Sequence, residues 1–150
     1  RSYLGISGAR KFAGDRAVLR AMHIYDENRR VDAETAALES GRFDEFLRLV
    51  NESGTSSWTL LQNITPAGST RHQELAVALA LCGRLLNGRG ACRVHGGGFA
   101  GTIQAFVPND MLEDFKTGIE SYLGAGCCHI LTIRREGGTR ERFTEESPDK

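Results

Sequence analysis

Apolar residues recur at helical spacing in three parts of the chain. Phe43, Phe46, Leu47 and Val50 stand at i, i+3, i+4 and i+7, which predicts a helix with one buried face. Leu75, Leu79, Cys82 and Leu86 predict a second, stopped near Asn87-Gly88. Leu112, Phe115, Ile119 and Tyr122 predict a third, ended by Gly124, and Asp110 with Glu113 is spaced as a capping box at its start. Ahead of these, residues 15–40 are rich in Ala, Arg and Glu and read as one long helix. Its expected inward side is Val18, Met22, Tyr25, Ala33 and Ala36, and Gly41 is its expected C-cap. Residues 54–70 are polar and turn-rich, with Trp58, Leu60 and Leu61 as the expected anchors to the core.

The remaining apolar runs are short and β-branched. Residues 91–95 and 102–107 predict two strands around a glycine-rich turn, and residues 129–134 predict a final strand. From Arg135 the sequence is charged and lacks apolar periodicity, Phe143 excepted. The expected organisation is one domain over residues 1–135 and a polar, flexible tail over 136–150. Helices followed by strand, turn, strand, helix and strand predict an α+β fold, an antiparallel sheet with helices packed on one face.

The candidate chemistry lies in the turn, at Gly96, Gly97, Gly98, Phe99 and Gly101. Glycine reaches positive φ without a Cβ penalty and lets a ligand or a second backbone approach closely. Successive backbone N–H groups in such a turn form a concavity that favours anions. The plain alternative is a tight turn between two strands. Gly96 to Gly101 also matches G-x-G-x-x-G by letter, but a strand follows where the dinucleotide-binding motif needs a helix N-terminus. A protein-kinase glycine loop needs a lysine on the next strand and downstream catalytic signatures, and neither is present. His95 and Arg93 border the turn and are the candidate ligand contacts among side chains; for Arg93 a solvated or ion-paired role competes.

Three blocks together resemble one family. Residues 90–102 resemble the third signature motif of galactokinases, Gly-Ala-Arg-Met-Thr-Gly-Gly-Gly-Phe-Gly-Gly-Cys. Arg20-Ala21-Met22-His23 with Glu27, Asn28, Arg30 and Val31 resembles that family's Arg-Ala-x-His-x-x-x-Glu-Asn-x-Arg-Val helix. Residues 37–46, followed by Asn51-Glu52-Ser53, resemble the segment that ends in its Asn-Glu-Ser-His. Order and spacing agree over residues 16–135. His95, Ala100, Thr102 and Gly54 depart from the family residues, which leaves the sugar unassigned.

The resemblance, to the C-terminal half of a kinase of the GHMP superfamily, implies a ferredoxin-like domain whose glycine turn faces a phosphate and sugar site. It implies ATP and Mg²⁺ in the whole enzyme, transfer of phosphate to the anomeric hydroxyl of galactose or a related sugar, and an N-terminal kinase domain as partner. The family's phosphate loop, Pro-x-x-x-Gly-Leu-Ser-Ser-Ser, and its catalytic Asp have no counterpart here. The chain is therefore expected to be inert alone, to carry no catalytic residue and to bind no cofactor tightly. A homodimer through the cut domain interface is a further expectation. A non-catalytic galactokinase-like sensor or interaction module is the alternative.

Composition adds exclusions. Nineteen basic and nineteen acidic residues give a net charge of zero, which argues against a nucleic-acid surface or an anionic membrane as partner. The longest apolar run, residues 75–82, is too short to cross a bilayer, and no cationic, apolar, cleavable leader is visible. Cys127-Cys128-His129 lacks zinc-site spacing, so no metal is expected. The adjacent pair Cys127-Cys128 also makes an ordinary disulfide between the two unfavourable. Reduced thiols and a cytoplasmic location are the expectation.

Overall fold

A computed structural model describes residues 6–99 and 101–133. Its elements are helices α1 (Ile6–Ala13), α2 (Asp15–Glu39), α3 (Phe43–Ser56) and α4 (Glu74–Leu86), strands β1 (Ala91–His95) and β2 (Thr102–Phe106), and helix α5 (Leu112–Leu123). A π-helical turn, Ser57–Leu61, extends α3, and a 3₁₀ turn, Asn109–Met111, leads into α5. Among the described residues the fold is α+β with a two-stranded antiparallel sheet. Among the described residues no helix is long and apolar enough to cross a membrane.

The helix ends follow local chemistry. Gly41, at φ +67°, closes α2 in a Schellman motif: Arg42 N–H donates to Ala37 C=O at 2.8 Å and Gly41 N–H to Leu38 C=O at 3.0 Å. Asn87 and Gly88, both left-handed, end α4 as expected. The capping box before α5 does not form, because Asp110 instead accepts two hydrogen bonds from the Arg89 guanidinium, at 2.8 and 3.0 Å.

Strand alternation sorts the core into two sides. The hairpin register pairs Ala91 with Phe106, Cys92 with Ala105, Arg93 with Gln104 and Val94 with Ile103. Ala91 and Phe106 pack with Phe46, Leu49 and Val50 of α3 and with Ala33 and Ala37 of α2. Phe46 and Phe106 meet edge to face, ring centroids 5.2 Å apart. Cys92, Ile103 and Ala105 face the other way, onto Cys82 and Leu86 of α4 and Phe115 and Ile119 of α5. Val94 joins that side through Leu79 and Ile64. Helices thus cover both faces of the hairpin, which corrects the expectation of a single covered face: α4 and α5 share one face, and α2 and α3 take the other.

Three further expectations are corrected. Of the expected inward side of α2, Val18, Met22 and Ala33 are half-buried and Ala33 reaches the core, but Tyr25 is 67% exposed and Ala36 is exposed. The inward stripe also carries His23, Glu27, Arg30, Glu34 and Ala37. A stripe of ionic side chains has no apolar signal for periodicity to find. In the segment after α3 the anchor is Ile64, 1% exposed, whereas Trp58 is 42% exposed. Residues 129–133 form no strand: neither strand of the hairpin pairs with them, and Ile130, Leu131 and Ile133 are 59%, 86% and 85% exposed. The expected tail, residues 136–150, lies outside the described residues, as do Arg134 and Ala100.

Candidate functional site

The turn joining β1 to β2 needs its glycines for different reasons. Gly96 and Gly98 have φ of +70° and +82°, the left-handed region that glycine enters freely. A Cβ on Gly98 would also collide with the Asn63 carbonyl and lie 2.8 Å from the Asn63 side-chain amide. On Gly101 it would come within 3.2 Å of His95 O. Gly97 has neither constraint: its φ is ordinary and nothing lies within 4 Å of where its Cβ would be. Phe99 occupies the left-handed region at φ +60°, where a bulky side chain is an outlier, and its ring is 40% exposed.

Asn63 supports this turn. It is 3% exposed, beside the buried Ile64. Its backbone carbonyl accepts a hydrogen bond from Phe99 N–H at 2.7 Å, and its side-chain Nδ2 donates to Gly97 C=O at 3.4 Å. Its Oδ1 is buried without a hydrogen-bond partner.

His95 and Arg93 take separate positions. His95 ends β1, exposed, opposite Thr102. Arg93 is drawn onto α2, where it donates to Glu27 Oε1 at 3.1 Å, so the structure realises the ion pair. Glu27 also accepts hydrogen bonds from Ser53 Oγ and from the Arg30 guanidinium. One carboxylate on α2 thereby ties together α3 and β1.

The junction is closely packed as well as charged. Ser53 is fully buried, and a Cβ on Gly54 would approach Cys92 O to 3.0 Å and Arg93 Cβ to 3.2 Å, so β1 lies almost on the backbone of α3. Asn51 adds a clasp, donating to Gly90 C=O at 3.0 Å and accepting from Cys92 N–H at 3.1 Å. One turn along, His23 Nδ1 shares a 2.9 Å hydrogen bond with Ser56 Oγ.

These contacts set the protonation states. Burial pushes the Glu27 carboxyl up, but Ser53, Arg30, Arg93 and His23 together outweigh it and hold the group below its ordinary value. Burial, opposed by Glu27 and reinforced by Arg30 and Arg93, lowers His23 and favours the neutral ring. Glu34 is raised by burial and by Glu27. All four cysteines are free thiols; burial lifts Cys82 to about 12 and Cys128 to about 11. Among the described residues no three His, Cys, Asp or Glu side chains are grouped to hold a metal ion.

An open groove of about 1130 Å³ runs between α3 and the segments 88–90 and 106–108. None of residues 95–99 or Gly101 lines it, so it is distinct from the turn. Within its charged lining Arg48 pairs with Glu52, Arg89 with Asp110, Arg30 with Glu27 and Asp26 with Arg29.

Comparison with known proteins finds no family model and no curated protein sequence that matches this chain.

Proposed function

We propose that this chain is the C-terminal domain of a galactokinase-like sugar kinase, helping to close a site where phosphate passes from ATP to the anomeric hydroxyl of galactose or a related sugar. The observation that carries this reading is the junction at Glu27. The three blocks that resemble galactokinases contribute Glu27 and Arg30, Ser53, and Arg93, and these residues are bonded to one another. Segments far apart in sequence that resemble one family in the same order also meet in space, as parts of one evolved unit do.

The fold supports the same reading. The run α4–β1–β2–α5, with both helices on one face of the hairpin, has the order of the middle of a ferredoxin-like βαββαβ unit. The glycine turn supplies backbone only. Gly97, with open space over its Cα and no backbone need for glycine, offers close approach to a phosphate or sugar. Phosphoryl transfer also requires a positioned nucleophile, Mg²⁺ and a phosphate cradle. On this reading those belong to a partner N-terminal half, which holds the Mg²⁺ ligands and the catalytic Asp, and the chain alone is inert. The free thiols fit a cytoplasmic location.

The test is galactose-dependent ADP release, measured for this chain alone and joined to an N-terminal half that carries the phosphate loop. The expected result is none above blank for the chain alone, turnover for the joined protein, and loss of turnover in Gly97→Trp. Turnover by the chain alone, or a folded joined protein that neither binds nor phosphorylates a sugar, would overturn the proposal. One observation favours the non-catalytic interaction module, the exposed apolar run Ile130, Leu131 and Ile133. A joined protein that binds galactose without turnover would establish that alternative.

A further inference from the structure

We infer that this chain self-associates by strand exchange: the outer edge of β2 in one copy takes residues 129–133 of a second copy as an added antiparallel strand. The two edges of the hairpin differ. On β1 the outward groups are occupied: Asn51 bonds Gly90 C=O and Cys92 N–H, and Arg93 Nε donates to Val94 C=O at 3.2 Å. Cys92 N–H therefore points away from β2. Residues opposite each other in an antiparallel ladder share that orientation, and it recurs at every second position. Ala105, opposite Cys92, and Ile103, opposite Val94, thus turn their N–H and C=O groups to the outer edge of β2. Among the described residues nothing bonds these groups. Natural edge strands are guarded by charge, by proline or by a covering element. Thr102–Phe106 carries neither a charged residue nor a proline.

Residues 129–133 fit this edge side chain by side chain. They are β-prone and exposed, and they pair with neither strand of their own hairpin. Set antiparallel with Leu131 opposite Ala105, they place Ile133 opposite Ile103, Ile130 opposite Phe106 and Thr132 opposite the exposed Gln104. Apolar meets apolar and polar meets polar, and a slip of one residue loses the match because side chains alternate between faces. Leu131 and Ile133 then lie beside Ile103 and Ala105 and extend the apolar face that α4 and α5 cover. The segment does not reach its own β2 in this register. His129 would stand opposite Val107, next to the start of α5, whereas residues 124–128 leave the end of that helix. The 12 residues of α5 separate its ends by about 18 Å. Only a nearly fully extended link of this length, at about 3.4 Å per residue, could return that far. Residues 124–128 are folded instead: Cys127 N–H donates to Gly124 C=O, Gly126 N–H donates to the Glu120 carboxylate, and Cys128 packs on the α4–α5 cluster. A second copy carries no such tether, and a two-fold dimer satisfies both elements at once.

The experiment is sedimentation velocity together with amide hydrogen exchange by ¹⁵N NMR, over a dilution series of this chain. The wild type should form a dimer, and exchange at Ile103 and Ala105 should speed up as dilution releases monomer. With about nine-tenths of the chain dimeric, those two amides should exchange about tenfold more slowly than in the monomer, because only the monomer leaves the edge open. Leu131→Lys with Ile133→Lys should be monomeric and fast at both amides. The Arg93 and Gln104 amides, bonded across the hairpin, should stay protected in that variant and show that the fold is kept. A wild type monomeric throughout, a dimer with Ile103 and Ala105 still fast, or a double variant that associates as before would each overturn the inference. Protection of these amides in the monomer would also overturn it, since the segment would then close on its own chain. A cross-link gives an independent reading. Gln104→Cys with Thr132→Cys places two thiols on directly opposed residues, at a separation that suits a disulfide. Mild oxidation should trap a covalent dimer that the wild type, treated alike, does not form; no cross-link, or a bond within one chain, would contradict the exchange.

Discussion

Replacing Glu27 by glutamine keeps the volume of the side chain and removes its charge. In the native protein this carboxylate is 17% exposed and is the shared partner of Arg30, at 12%, and Arg93, at 27%. Leaving partly buried cations without their counter-ion costs about 3–5 kcal/mol when the pair is fully buried. The amide oxygen of Gln retains some hydrogen bonding and Arg93 keeps some water, so about 2–3 kcal/mol is the expected loss. For a chain of this size that is a fall in melting temperature of about 4–12 °C. A double-mutant cycle with Arg93→Met, read by urea unfolding, should return a coupling of about 1–2 kcal/mol.

The same substitution should change the acid limb. Glu27 is held below its ordinary value in the folded state, so it binds a proton more weakly there than in the unfolded chain. Its stabilisation is therefore complete above about pH 4.3, the unfolded value, and is lost as pH falls through the lower folded value. Glu27→Gln should flatten that part of the stability profile. A loss below about 0.5 kcal/mol, the scale of an exposed ion pair, with an unchanged acid limb would refute the view that this junction holds α2, α3 and β1 together.

Other expectations follow from the turn, from His23 and from the exposed run. Gly98→Ala should destabilise by about 2–4 kcal/mol through positive φ and collision with Asn63, whereas Gly97→Ala should stay within about 0.5 kcal/mol; equal melting temperatures would show that the turn does not rest on Asn63. The His23 value is depressed, so the folded state favours the neutral ring: its contribution is complete above about pH 6.5 and falls away as pH drops through the folded value. His23→Gln should remove that loss, and an unaltered pH profile would place its origin elsewhere. Leu131→Lys with Ile133→Lys should reduce concentration-dependent association in sedimentation velocity, because an apolar patch promotes self-contact. If the wild type is monomeric at high concentration, that patch does not drive association.

The elements legible in the sequence are those whose buried face is apolar. Phe46 and Val50 place α3, Leu79, Cys82 and Leu86 place α4, and Phe115 and Ile119 place α5, all buried as their stripes predict. Phe43 and Tyr122, at the ends of their stripes, are 53% and 75% exposed, and Leu49 is buried outside the predicted stripe. The hairpin followed from β-branched runs around glycine, and its register keeps Val94 and Ile103 on one side. The orientation of α2 was legible only in part: Ala33 packs inward as its apolarity suggests, but His23, Glu27 and Arg30 turn inward through hydrogen bonds and ion pairs rather than through apolarity. Asn63 was missed for a related reason: a single asparagine in a polar segment shows its role only once the turn folds back onto it. The β propensity of residues 129–133 reads correctly as propensity, but a strand needs a partner, and the described sheet provides none. Asp110 shows how a local rule yields to a distant residue, since Arg89 takes the carboxylate that would have capped α5.

The most direct measurement of the proposed function is the intact mass of the native gene product in its own cells. If the chain is the C-terminal half of a sugar kinase, the product should be a polypeptide of at least about twice the 16.4 kDa of this chain, as two or more domains require. A native product near 16.4 kDa would contradict the kinase reading and leave a free-standing module in its place.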